Sequence, residues 1–358
     1  MAFTVTEAEV LKALRVVIDP DLNRDIVDLG FVKDVKIDGG TVSFTIELTT
    51  PACPVKDKMA AEARQAVSAL PGVQDVQIQL TASTGGFQQT VDLIPNVRNT
   101  VAIASGKGGV GKSTVAANLA IALARAGAKV GLMDTDVYGP SIPMLMGGTN
   151  LPEMSGQNLI KPPMEHGIKI ISMAYFLPRD RAVIWRGPML HKMIQQFLGD
   201  VDWGDLDYLV MDLPPGTGDI QLSLCQTIPL TGAAIVSTPQ DLALSVASKA
   251  IAMFNQMKVP ILGLIENMSY YVCPNCKHQD DIFGHGGARE ASRQMGIPFL
   301  GEIPLASEIR TQSDAGTPVS LGSEDSVYAR AFMDVARALA AQVSIVTQNA
   351  AAQVSIEM

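Results

Sequence analysis

Apolar and polar positions follow one rhythm in the first quarter of this chain and another in the rest. Over residues 6–18 the apolar positions Val10, Leu11, Leu14, Val17 and Ile18 recur every three or four residues, and Thr6 with Glu9 three residues on forms a capping signature, so an amphipathic helix is predicted there. The polar loop 19–25 follows. Two β-like runs, 31–37 and 41–48, are joined by the turn Asp38-Gly39-Gly40. Residues 55–70 read as a second helix, stopped by Pro71-Gly72, and 73–80 as a third strand. Residues 1–85 are thus expected to form a small α+β domain. Residues 86–96, with Gly86, Gln88-Gln89 and Pro95, read as a linker.

From residue 97 the pattern changes. Short, almost wholly apolar runs at 101–105, 129–134, 208–213, 232–238 and 261–267 alternate with helix-like stretches. Strands that are apolar on both faces and separated by helices indicate an α/β fold, a mostly parallel sheet covered by helices on both faces. That domain is expected over 97–343. The sequence AAQVSI occurs at 340–345 and again at 351–356, and 344–358 is expected to be a frayed C-terminal tail.

Composition narrows the function. Hydrophobic residues make up 47% and charged residues 18%, which suits a globular chain and not a disordered one. The net charge is −9 with no long basic run, so nucleic acid is not expected as a partner. The start, MAFTVTEAEVLKAL, lacks the pattern of a secretory signal, and the apolar stretch 229–236 is short and holds Pro229 and Gly232. A cytoplasmic protein without a membrane partner is expected. The cysteines are Cys53, Cys225, Cys273 and Cys276, too few in a chain of 358 residues for a disulfide framework. They point to reactive thiols or metal ligands.

The most specific motif is Gly106-Lys107-Gly108-Gly109-Val110-Gly111-Lys112-Ser113-Thr114, which follows the apolar run 101–104 and precedes a helix-like run to about residue 126. The strand–glycine loop–helix context is that of a P-loop binding ATP. The glycines let successive N–H groups turn toward phosphate oxygens, and the helix start adds a favourable dipole. Lys112 is placed to neutralise the β- and γ-phosphates, and Ser113 to offer its hydroxyl to Mg²⁺. Asp134 and Asp136 end one apolar run, and Asp212, with Asp219 beyond it, ends another. Carboxylates at the C-terminal ends of parallel strands face the ligand crevice. A plain strand-end turn is the competing reading for Asp134.

Cys273-Pro-Asn-Cys276 lies in a polar loop. Its spacing lets two thiolates converge on one metal centre. A [4Fe–4S] cluster usually takes four thiolates, and a two-fold dimer supplies two from each chain. A zinc site from Cys273, Cys276, His278 and His285, or a redox dithiol, fits the same motif. Cys53 sits between a strand and a helix, either activated by the helix start or filling a turn. Cys225, among Leu222, Leu224 and Ile228, reads as core.

These motifs carry resemblances. The loop GKGGVGKST is similar to the deviant phosphate loop of the MinD, ParA and nitrogenase-iron-protein class, which implies that Lys107 reaches the nucleotide of an opposite subunit in a face-to-face homodimer. By the same resemblance Asp136 would orient the attacking water, Asp212 would hold Mg²⁺ through water, Asp134 would support the metal, and Asn267 would contact adenine. Together with RGPM at 186–189, STPQD at 237–241 and ENMSYYVCPNC at 266–276, the chain closely resembles the Mrp/ApbC family of iron–sulfur cluster carriers over roughly 97–340. The runs VDLGFV at 27–32 and LTTPACP at 48–54 resemble the SufT-like domain at the front of many such carriers. The resemblance implies an ATPase that holds a labile [4Fe–4S] cluster between two subunits on Cys273 and Cys276, takes it from scaffold proteins and passes it to apo-proteins. A positioning ATPase of the MinD/ParA type is the rival; it needs a membrane-targeting amphipathic helix or a DNA-binding surface, whereas the C-terminal QVSIVTQNAAAQVSIEM has no basic face and the chain is acidic.

Overall fold

The computed structural model describes residues 5–84, 93–137, 139–156, 159–176, 187–323 and 325–357. The chain divides into two compact units, Met1–Gly85 and Gly86–Met358.

The first unit contains α1 (Glu7–Leu14), the short strands β1 (Ile18–Asp19) and β2 (Arg24–Asp25), then β3 (Val32–Asp38), β4 (Thr41–Leu48), α2 (Lys56–Ser68) and β5 (Asp75–Ala82). The capping box forms as the sequence predicts: the Thr6 hydroxyl accepts from the Glu9 N–H, and Glu9 accepts from the Thr6 N–H at 2.9 Å. The helix is shorter than expected. It ends at Leu14, because Val17 turns inward to the core while Ile18 enters β1 and stays exposed. The sheet runs β3-β4-β5, antiparallel then parallel, with β4 central. Alternation along β4 buries Val42, Phe44, Ile46 and Leu48 against Val10, Leu14, Met59, Ala63 and Val67 of the helices.

The second unit contains β6 (Val97–Ala104), α3 (Lys112–Arg125), β7 (Val130–Asp134), α4 (Ile142–Leu145), β8 (Glu153–Met154), β9 (Ile160–Lys161), β10 (Met164–Glu165), β11 (Ile168–Ser172), α5 (Gly187–Gly199), β12 (Leu206–Asp212), α6 (Asp219–Thr227), β13 (Gly232–Ser237), α7 (Asp241–Gln256), β14 (Ile261–Val272), β15 (Gln279–Asp280), α8 (Gly287–Met295), β16 (Phe299–Leu305), α9 (Ser307–Asp314) and α10 (Val327–Glu357). Its main sheet runs β10-β11-β7-β12-β6-β13-β14-β15, with β16 also paired to β14. The pairs from β11 through β14 and on to β16 are parallel; β10 and β15 are antiparallel additions at the edges. The inner strands are buried on both faces, which is why they read as unbroken apolar runs.

The segment expected as a frayed tail is helical instead. Helix α10 continues to Glu357, and its turns at Ala340, Val343, Ser344 and Thr347 are buried. The hydroxyls of Ser344 and Thr347 bond back to the carbonyls of Ala340 and Val343, so the polar side chains disturb neither the helix nor the core. The repeat reads as tail because its polar letters hide a buried face. Among the described residues no helix is long and apolar enough to cross a membrane.

Candidate functional site: a phosphate loop and a cysteine hairpin

The ends of β6, β7 and β12 and the middle of β14 meet at the loop between β6 and α3. Gly109 and Gly111 take positive φ (82° and 77°), which turns the loop over the start of α3. Gly111 is also pinned by space, since a Cβ there would lie 2.3 Å from Asn267 Nδ2. Helix α3 begins at Lys112 with no side-chain cap on its first turn, so its leading N–H groups are available to an anion.

Lys112 is buried and ion-paired to Asp212 Oδ1, and its ammonium lies 3.4 Å from the Ser113 hydroxyl. The Ser113 hydroxyl lies beside Asp212 and lowers its pKa. Asp212 is fully buried; burial pushes its carboxyl up, against the opposing pull of Lys112. Its other oxygen, Oδ2, is buried with no hydrogen-bond partner. An orphaned carboxylate oxygen beside a serine hydroxyl at a phosphate loop is a hard-oxygen donor set that fits Mg²⁺.

Asp134 sits differently. Its Oδ1 accepts from the Asp136 N–H at 3.1 Å, and its Oδ2 accepts from the Ile142 N–H at 3.1 Å and the Ser172 hydroxyl at 2.9 Å. Burial and then the neighbouring Asp212 charge push this carboxyl up to about 7. Thr135 bonds the Asp212 carbonyl through both its N–H (3.0 Å) and its hydroxyl (2.8 Å). The segment carrying Asp136 is therefore locked onto the ends of β7, β11 and β12. Asp136 is buried, and its Oδ1 accepts from the Gly139 N–H at 3.3 Å.

Asn267, in β14, is buried and donates from Nδ2 to the Val110 carbonyl at 2.8 Å, which ties that strand to the phosphate loop. Lys107 is half-buried on the loop, and its ammonium approaches Gln240 Oε1 at 3.4 Å within the same chain. The structure thus gathers Gly106–Thr114, Asp134, Asp136, Asp212 and Asn267 around one loop. Arg186 and Tyr138, which belong to the expected motifs, lie outside the described residues, as do residues 86–92 of the expected linker.

Cys273 and Cys276 are at the far end of β14. Beyond it the chain turns into β15, with Tyr271 opposite Asp280 and Val272 opposite Gln279. The Cys273 N–H donates to the His278 carbonyl and the Lys277 N–H to the Cys273 carbonyl, each at 2.9 Å, and Lys277 takes a positive φ of 62° to close the turn. Cys273 is half-buried and Cys276 exposed. Backbone N–H groups of Cys276 and Asn275 aimed at the Cys273 sulfur lower its thiol pKa. The other two cysteines are buried, and burial raises both thiols, that of Cys225 to about 12. Desolvation outweighs any activation of Cys53 by the start of α2.

The histidines of the zinc reading do not join the cysteines. His285 bonds Glu302 through Nε2 at 3.0 Å and stands edge-on to Tyr270. Among the described residues the metal-capable set with ligand atoms within 4.8 Å of one another is Glu266, His285 and Glu302, which includes no cysteine. Glu266 was not singled out from sequence, although a charged residue inside the apolar run 261–267 is a visible anomaly.

Comparison with known proteins bears on this arrangement. Residues 96–340 match the family model described as NUBPL iron-transfer P-loop NTPase, and residues 7–80 match that described as iron-sulfur cluster assembly protein. An iron-sulfur cluster carrier protein of Deinococcus radiodurans is 50% identical over 94% of this chain and 95% of its own. One of Synechocystis is 45% identical over 95% and 99% respectively. Among solved structures, an Archaeoglobus fulgidus nucleotide-binding protein in complex with ADP is 43% identical with a TM-score of 0.58, covering 64% of this chain and 90% of that one. The Pyrococcus furiosus cell-division ATPase MinD shares the fold, at 23% identity and a TM-score of 0.51 over 67% of this chain and 97% of its own. The chain therefore belongs to the NUBPL iron-transfer P-loop NTPase family and is a P-loop ATPase preceded by an iron-sulfur cluster assembly domain.

Proposed function

We propose that this ATPase is an iron–sulfur cluster carrier of the cytoplasm. Two copies hold one labile [4Fe–4S] cluster on Cys273 and Cys276 of each, receive it from scaffold proteins and pass it to apo-proteins. The reading rests on the half-buried Cys273 and exposed Cys276 just beyond the end of β14, the strand whose middle holds the phosphate loop through Asn267. The carrier names of the Deinococcus and Synechocystis relatives support it. One chain supplies two thiolates, no set among the described residues joins them to His278 or His285, and a second copy would supply the other two.

In the ATPase cycle Lys112 leaves Asp212 for the β- and γ-phosphates. Ser113, and Asp212 through water, would hold Mg²⁺, which would supply charge neutralisation at the phosphates. Asp136 orients the attacking water, and Asp134 acts indirectly by fixing the Asp136 backbone. Asn267 contacts adenine. Lys107 exchanges Gln240 for the nucleotide of the partner copy, where it offsets charge developing on the transferred phosphoryl group.

Transfer is tested by mixing the reconstituted protein anaerobically with an apo-enzyme that needs a [4Fe–4S] cluster. Recovery of that enzyme's activity in the presence of a chelator that traps free iron is expected. Recovery only in the absence of the chelator would sink the carrier role.

A further inference from the structure

We propose that Glu266 is the positioning residue that fixes the cysteine loop relative to the phosphate loop; this rests on the carrier reading above and adds to it a named link between its two sites. Glu266 is fully buried in β14, beside Ser237 of β13 and Glu302 of β16. A buried carboxylate is costly unless its lone pairs are filled. Here three donors meet it, two of them from the far root of the cysteine loop. Oε1 accepts from the Gly286 N–H at 2.9 Å and the Ser269 hydroxyl at 2.6 Å, and Oε2 accepts from the Ala288 N–H at 2.6 Å. The loop leaves β14 after Val272 and returns at Gly286, so one side chain on the departing strand grips the returning end. The first turn of α8 is held by the same grip, which places a carboxylate at a helix N-terminus.

The adjoining residue supplies the other half. Asn267 lies on the opposite face of the strand from Glu266 and holds the Val110 carbonyl. Its amide fills the space above Gly111, so the phosphate loop cannot move there without moving Asn267. Past this point the backbone kinks: Met268 has φ 56°, and the register against β16 shifts between Asn267 and Tyr271. A displacement at Gly111 thus reaches Gly286 through two consecutive side chains of one strand. An outer layer braces the same corner, where Glu302 accepts from Arg289 at 2.8 Å and pairs with His285. Glu266, His285 and Glu302 do bring ligand atoms within 4.8 Å, but a cation would have to displace the N–H and O–H donors that saturate Glu266, so the cluster is a clamp and not a metal site.

The test reads the cysteine loop of the apo-protein, without a cluster. Iodoacetamide alkylation rates of Cys273 and Cys276 are measured by mass spectrometry, with and without Mg²⁺ and a non-hydrolysable ATP analogue. Wild-type rates are expected to change by about fivefold on nucleotide binding, the lower end of ordinary coupling between sites. Glu266→Gln should lose that response while keeping the wild-type kcat and KM for ATP, because it touches no residue of the phosphate loop. Glu266→Asp, which keeps the charge, should restore part of it. A full response in Glu266→Gln overturns the proposal, and so does a wild-type protein with no response. Should Glu266→Gln fail to fold, Ser269→Ala removes a single donor and is expected to weaken the response; an undiminished response overturns the proposal equally. Failure of the wild type to bind a cluster on reconstitution is a separate result, and it strikes the carrier reading instead.

Discussion

Lys112 and Asp212, one hundred positions apart in the chain, form a buried ion pair at the foot of the phosphate loop. Among the described residues each compensates the other's buried charge, with Ser113 as a neutral neighbour. Lys112→Ala therefore has two effects. ATP turnover should fall by roughly 10²–10³, as when one preorganised contact to developing charge is lost. Stability should fall too, by about 3–5 kcal/mol at most, since the partner is left as an uncompensated buried acid. Steady-state hydrolysis and denaturant unfolding measure the two separately, and wild-type turnover in the variant would remove Lys112 from the site.

Lys107 and Asp136 are expected to act on opposite sides of one dimeric site. Lys107→Ala should bind nucleotide normally and turn it over slowly. Asp136→Asn should bind ATP with Mg²⁺ yet lose the charge that orients water. Mixing the two inactive variants should restore activity, because a mixed dimer contains one site with both residues intact. Activity that stays at the average of the parents would show that Lys107 works within its own chain.

The two strained glycines of the loop separate backbone strain from collision. Gly109→Ala meets open space and carries only the cost of a positive φ, about 1–3 kcal/mol. Gly111→Ala carries the same strain and also drives a methyl into the Asn267 amide. Gly111→Ala should therefore weaken nucleotide binding more than Gly109→Ala, by calorimetric titration. In the Asn267→Ala background, measured against Asn267→Ala alone, the excess cost of Gly111→Ala should largely disappear.

His285 offers a pH-dependent readout of the corner beside the cysteine loop. The hydrogen bond to Glu302 raises its pKa, while partial burial opposes the rise. A histidine whose folded pKa exceeds its unfolded value stabilises the protein fully below about 6.5, and that contribution is lost as pH rises through the folded pKa. The carboxyl of Glu302 is lowered with Arg289 and His285 as its partners, so its contribution is present above its unfolded pKa and is lost as pH falls through the folded value. NMR titration should place His285 above its ordinary value in the wild type and lower in Glu302→Gln. An unchanged titration would break the pairing.

Much of this architecture is legible in the sequence, for physical reasons that differ by element. The phosphate loop is local: the apolar strand, the glycines and the helix lie within one short run, so their spacing alone implies the geometry. The parallel sheet is legible because burial on both faces leaves unbroken apolar runs such as 208–213. Long-range pairings leave no such trace. Nothing in the chain announces that Lys112 meets Asp212, or that Ser172 holds Asp134. Cys53 shows the opposite hazard, since a helix start suggests an activated thiol and only the fold reveals that burial raises it. Polar residues in a helix that bond their own backbone, as Ser344 and Thr347 do, likewise conceal a buried face.

Counting iron is the most direct test of a cluster shared by two chains. The protein is reconstituted anaerobically with iron and sulfide, and iron is counted against chain number and oligomeric state. About four irons per dimer are expected, lost in Cys273→Ala and in Cys276→Ala, retained in Cys53→Ala and Cys225→Ala, and stripped readily by chelators. A colourless protein holding one metal ion in each isolated chain, indifferent to dimer disruption, would contradict it.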